Sequence, residues 1–89
     1  MLNALNRDLN EKTKHIRERG YIPANIHHAK LEKSIPVEVY VTDFKRFIDA
    51  KKHLGTFELN LDGEINNCKL SEVQIDSIDG FIHIDFLLV

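Results

Sequence analysis

The tightest constraint on this chain is the alternation that closes it, Glu72-Val73-Gln74-Ile75-Asp76-Ser77-Ile78-Asp79-Gly80-Phe81-Ile82-His83-Ile84-Asp85-Phe86-Leu87-Leu88. It reads as a β-hairpin. Asp79-Gly80 supplies the turn, because a tight hairpin turn needs positive φ and Asp-Gly tolerates it. Successive side chains of a strand point to opposite faces. Ile82, Ile84, Phe86 and Leu88 are therefore expected in a core, with Phe81, His83 and Asp85 on the other face. A two-residue loop pairs Ile78 with Phe81, Asp76 with His83 and Gln74 with Asp85. Gln74, Asp76, His83 and Asp85 then form one polar patch on the open face of a sheet. Folding does not require such a patch, so it reads either as a recognition surface or as a solvated sheet face.

Upstream, Pro36 to Val41 alternates with Val37, Val39 and Val41 inward and Glu38 and Tyr40 outward. Thr56 to Leu61 places Phe57, Leu59 and Leu61 on one face. Asp62-Gly63 makes a second hairpin turn into Glu64–Leu70. Tyr21 to His28 is extended, since Pro23 biases Ile22 away from the helical region. Leu2 to Arg7 fits a loose helix or a short strand. The chain is expected to be mainly β with two or three helices, an α+β fold, and two of the helices can be placed. Glu11 to Arg19 is capped by Asn10 and stopped by Gly20. Asp43 to His53 is capped by Thr42, carries an apolar stripe of Phe44, Phe47, Ile48 and Lys51, and ends at Gly55. Mostly consecutive, antiparallel strands with two Asp-Gly turns suggest a small curled sheet or barrel whose openings the helices close.

Eighty-nine residues are expected to form one domain, residues 1–89, with a modest core. The lone Cys68 excludes an internal disulfide and a cysteine-based zinc site; mid-strand, it reads as a small core residue. Residues 1–15 lack the apolar segment of a signal peptide, and no apolar run approaches the ~20 residues of a membrane span. These features predict a soluble cytoplasmic protein. Net charge is −2, which argues against a strongly basic nucleic-acid binder. Its distribution is uneven. Residues 1–35 hold seven Lys/Arg against four acids, a net of +3, whereas residues 36–89 hold five against ten, a net of −5. A locally basic region can steer a polyanion even when the total is acidic.

No glycine-rich phosphate loop, HExxH or GxSxG is present, so no enzymatic activity is expected. His27 and His28 are adjacent and face opposite ways in a strand. Either could join His83 and Asp85 as two histidines and a carboxylate if their strands neighbour. Hydrogen-bonding histidine is the default, and no metal or cofactor is expected. For nucleic acid, the relevant set is Lys14 and Arg17 on a short helix plus the polar sheet patch. Cations contact phosphates, whereas Gln, His and Asp read base edges or sugar hydroxyls.

Two blocks of the chain resemble a known family, the ribosomal large-subunit protein twenty-five and its general stress protein Ctc relatives. One is Lys14-His15-Ile16-Arg17-Glu18-Arg19-Gly20-Tyr21-Ile22-Pro23-Ala24-Asn25-Ile26-His27, similar to the family's basic helix, glycine and Pro-Ala strand. The other is Val73 to Gly80 followed by Ile82-His83-Ile84-Asp85-Phe86, similar to its closing hairpin with His-x-Asp-Phe. The resemblance implies a six-stranded β-barrel with helices. It also implies binding to the loop E region of 5S ribosomal RNA in the large ribosomal subunit; a monomer off the ribosome is expected. No membrane or small-molecule partner is expected. Carried over by position, Thr13, Lys14 and Arg17 would contact RNA from the helix. His27 stands where the family has a strand-end tyrosine, and Gln74, His83 and Asp85 match its sheet contacts. Arg7 joins this set as a candidate phosphate contact, with Arg19 as its substitute. The family's Gly-Lys-Gly loop is replaced by Leu9-Asn10-Glu11, and the second domain of the longer members is not expected beyond Val89. The alternative reading is a divergent paralogue of the same fold acting as a stress-associated or protein-interaction module.

Overall fold

The computed structural model describes residues 1–28, 30, 32–78 and 80–89. Strand β1 (Leu2–Asn6) is followed by helix α1 (Thr13–Glu18), strands β2 (Tyr21–His28) and β3 (Lys33–Tyr40), and helix α2 (Val41–Asp49). Strands β4 (Thr56–Leu61), β5 (Glu64–Asp76) and β6 (Gly80–Leu88) complete the chain. The strands close into a barrel in the order β1-β3-β2-β6-β5-β4. The expected six-stranded barrel with helices is therefore present, but it is not wholly antiparallel. β1 runs parallel to β4, and β2 runs parallel to β6. Hairpin signals report only strands adjacent in sequence. These two pairings join strands separated by long connections, where a parallel arrangement becomes possible.

The core follows from alternation on each strand. Leu2 and Ala4 of β1, Ile22, Ala24 and Ile26 of β2, and Val37 and Val39 of β3 are buried. Leu59 and Leu61 of β4, Cys68 of β5, and Ile84 and Phe86 of β6 meet them. Helix α2 adds Phe44 and Phe47, which closes one opening of the barrel. Phe47 meets Phe57 edge-on at 4.7 Å between ring centroids, and Phe57 meets Phe86 at 5.9 Å. Burial pushes the Cys68 thiol up to about 11, as suits a core residue rather than a nucleophile.

Both helices are shorter than the sequence suggests. Helix α1 starts at Thr13 after an N-cap at Lys12, not at Asn10. The cause is Asp8, whose carboxylate accepts the Asn10 N–H at 2.9 Å and whose carbonyl accepts the Glu11 N–H at 3.1 Å. This side-chain-supported turn takes up residues 8–11 that the helix would otherwise use. Helix α2 begins at Val41 with Tyr40 as N-cap, so Thr42 lies inside it and does not cap it. It stops at Asp49, and Lys51, at φ 57°, lies in the turn beyond instead of on the helical stripe.

The closing hairpin also departs from its expected register. Asp76 pairs with Gly80, Ile75 with Phe81, Gln74 with His83, Val73 with Ile84 and Glu72 with Asp85. Asp79, half of the predicted turn, lies outside the described residues. The offset is present from the first pair, Asp76 with Gly80, which leaves three residues between the strands instead of two, and two irregularities then change the register by one residue each. Ile82 is an extra residue on β6 between the pairs made by Gln74 and Ile75, and Ser71 is an extra residue on β5 between Leu70 and Glu72. Each extra residue resets the alternation. Phe81 therefore turns inward and packs edge-on against Phe44 at 5.2 Å, contrary to the simple pattern. Asp76 leaves the polar patch and accepts the Ile78 N–H at 2.7 Å in the turn. The bulge at Ser71 also merges two expected β segments into one strand. By contrast, Asp62-Gly63 forms the two-residue turn expected of it. Both residues have positive φ, and Leu61 pairs with Glu64.

Candidate nucleic-acid interface

The outer faces of β2 and β6 bring His27, His83 and Asp85 together with Arg7, whereas the candidates on α1 stand apart from them. On β2, Ile22, Ala24 and Ile26 point inward, so Asn25 and His27 point outward. On β6, Ile84 and Phe86 point inward, so His83 and Asp85 point outward. Parallel pairing sets Asn25 beside Asp85, and antiparallel pairing sets Gln74 directly across from His83.

These side chains form one hydrogen-bonded row. Arg7, just past β1, donates from Nη2 to Asn25 Oδ1 at 3.0 Å. Asn25 Nδ2 lies 3.1 Å from His83 Nε2. Asp85 Oδ1 accepts from His27 Nε2 at 2.9 Å and lies 3.6 Å from His83 Nδ1. The His83 and Asp85 side chains are 23% and 22% exposed, whereas His27 is 44% exposed and forms the open end of the row. Desolvation lowers the His83 pKa below its ordinary value of 6.5, and this outweighs the opposing pull of Asp85. Burial likewise lowers that of Arg7, against the pull of Glu38.

Beside the row stands a second polar cluster. Glu38 on β3 is 4% exposed although it points outward. Arg19 covers it, donating to Glu38 at 3.1 and 3.0 Å and to Glu11 at 2.9 and 3.0 Å. Its guanidinium also lies 5.2 Å from the Tyr21 ring centroid. The two carboxylates raise the Arg19 pKa further above the usual guanidinium range. Arg19 is thus committed to internal ion pairs and is a poor substitute for Arg7 as a phosphate contact.

Thr13 and Lys14 are exposed on α1, outside the hydrogen-bonded row. Arg17 is half-buried and lines a groove of about 280 Å³ with Lys45, Tyr21, Ile75, Gly80 and Phe81. No acid lines this groove among the described residues. Sequence reasoning missed Asn25, the centre of the row. Its signal was available, because Asn25 shares the strand face of His27, two residues away. His28 falls on the opposite face and takes no part. Strands β2 and β6 do neighbour, as a two-histidine, one-carboxylate set requires, but His83 Nε2 turns to Asn25. Among the described residues no three ligating side chains are grouped to hold an ion.

Fold and site together define a small mixed β-barrel with one polar, hydrogen-bonded outer face and a short cationic helix beside it. The chain belongs to the Ribosomal L25p family, whose model matches residues 2–86. It is similar to the large ribosomal subunit protein bL25 of Lysinibacillus sphaericus, with 37% identity over 75 residues, 83% of this chain and 37% of that protein. The bL25 of a Thermoanaerobacter species is 32% identical over 89 positions, covering 96% of this chain and 43% of that protein. That of Shouchella clausii is 36% identical over 81 residues, 88% of this chain and 36% of the relative. The chain thus spans well under half the length of these relatives.

Proposed function

We propose that this chain is a structural, non-catalytic component of the large ribosomal subunit, acts in the cytoplasm, and binds 5S ribosomal RNA at loop E. Residues 1–89 act as one binding unit. The observation that carries this reading is the convergence of Arg7, His27, His83 and Asp85 on one outer face, with Gln74 across from His83. Lys14 and Arg17 of α1 lie outside every ion pair among the described residues and supply charge to phosphates. Thr13 offers a hydroxyl on the same helix. The sheet groups supply a pattern of donors and acceptors that only a matching groove satisfies. Family membership supports the same reading, because the matched relatives are large-subunit proteins.

The division of labour is testable by titration with a loop E fragment and with a regular RNA duplex. A carboxylate is repelled by phosphates and helps only where a base presents an amino donor. Asp85→Ala is expected to weaken loop E binding and to leave the regular duplex unchanged or slightly tighter. Lys14→Ala is expected to weaken both alike. Absence of loop E binding even at low salt would transfer the assignment to a protein-interaction module of the same fold.

A further inference from the structure

Asn25 has no role in the resemblance, yet it sits between Arg7 and His83. A guanidinium has only donors. The Asn25 atom that faces Arg7 must therefore be the amide oxygen, and the atom that faces His83 must be the amide nitrogen. That nitrogen also only donates, so His83 Nε2 must accept and the imidazole proton must reside on Nδ1. Nδ1 in turn faces the Asp85 carboxylate oxygen, which also accepts from His27. Every contact in the row has matched polarity in this tautomer. In the other tautomer, Nε2–H would meet the Asn25 amide donor and the Nδ1 lone pair would meet Asp85.

We propose that Asn25 is a positioning residue of the RNA-binding face: anchored by Arg7, it fixes His83 as the neutral Nδ1–H tautomer turned toward Asp85. The charged groups facing His83 are Arg7 beyond β1, His27 on β2, Glu72 on β5 and Asp85 on β6. Two of these are carboxylates, and the Nδ1–H of the neutral ring is directed at one of them, Asp85, at 3.6 Å. In this arrangement His83 and His27 both point N–H groups at Asp85 Oδ1. Asp85 is thereby held against the sheet, with its remaining acceptor capacity available for a base amino group. The consequence for RNA rests on the proposed function, whereas the tautomer is a property of the free chain.

Two measurements separate these levels. In the free protein, long-range nitrogen–proton NMR of the His83 ring is expected to show Nδ1 protonated and Nε2 bare. Asn25→Leu is expected to shift the population to the Nε2–H form. Wild-type His83 in the Nε2–H form, or a tautomer unchanged by Asn25→Leu, would overturn the inference whatever the RNA result. With the loop E fragment, Asn25→Leu is expected to weaken binding about threefold to tenfold, the worth of one hydrogen bond. In a His83→Phe background the same change is expected to have almost no effect, because Asn25 acts through His83. Equal losses in both backgrounds would overturn the positioning role and leave Asn25 as an independent contact. A correct tautomer with no loop E binding by wild type would instead refute only the RNA reading.

Discussion

The His83 ring loses solvent on folding, and this desolvation disfavours its charged form against the opposing pull of Asp85. The His83 side chain is 23% exposed, its Nε2 lies 3.1 Å from the Asn25 amide nitrogen, and desolvation lowers its pKa below 6.5. The folded state therefore binds a proton less readily at this site than the unfolded chain does. Stability from this group is fully present above the unfolded value of about 6.5 and is lost as pH falls from there through the folded value. Thermal unfolding of wild type is accordingly expected to shift to lower temperature as pH drops below that range, and His83→Phe is expected to blunt the shift. A variant that loses stability at acid pH as steeply as wild type would show that the proton enters elsewhere. Glu38 is the converse case, a charge tolerated at 4% exposure because Arg19 donates to both of its oxygens.

At the scale of elements, strand alternation identified most of the inward residues. Ile84 lies at 0% exposure between Ala24 and Val73 in the ladder. Ile84→Ala is expected to cost about 2–5 kcal/mol in denaturant unfolding, as buried large-to-small changes do. A cost below about 1 kcal/mol would mean that the barrel collapses around the gap. Gly20, between α1 and β2, has φ 85°, and a β-carbon there would lie 3.6 Å from Tyr40 Cε1. That distance is ordinary contact, so the penalty for Gly20→Ala lies in the backbone. It is expected to be about 1 kcal/mol or somewhat more. The stop at Gly20 was legible because a helix C-terminus needs this conformation. The start of α1 was not, because Asp8 and Asn10 are both good capping residues and only the folded chain shows which one turns. The bulges at Ser71 and Ile82 were equally hidden, since neither residue carries a type that demands a bulge.

For the whole molecule, the charge available to a polyanion under the proposed function is local, not net. The chain carries −2 overall, yet Lys14 and Arg17 remain outside ion pairs among the described residues while Arg19 is consumed by two carboxylates. With Lys14, Arg17 and Arg7 as phosphate contacts, the log–log salt dependence of loop E binding is expected to have a slope of about −2 to −3. Arg17→Ala is expected to flatten it by about one unit. A slope unchanged in that variant would place Arg17 off the RNA path. The sequence alone specified most strand faces, the Asp62-Gly63 turn and the core aromatics other than Phe81, because these follow from local periodicity and backbone preference. It also carried, through its two matching blocks, the family and most of the candidate site. The parallel pairing of β2 with β6, the shifted register of the closing hairpin and the place of Asn25 between Arg7 and His83 emerge only once the chain is folded. The strand pairing and the place of Asn25 depend on residues distant in the chain, and the hairpin register on the connection and bulges between β5 and β6; in each, the competing arrangements differ by hydrogen-bond geometry that no local pattern encodes.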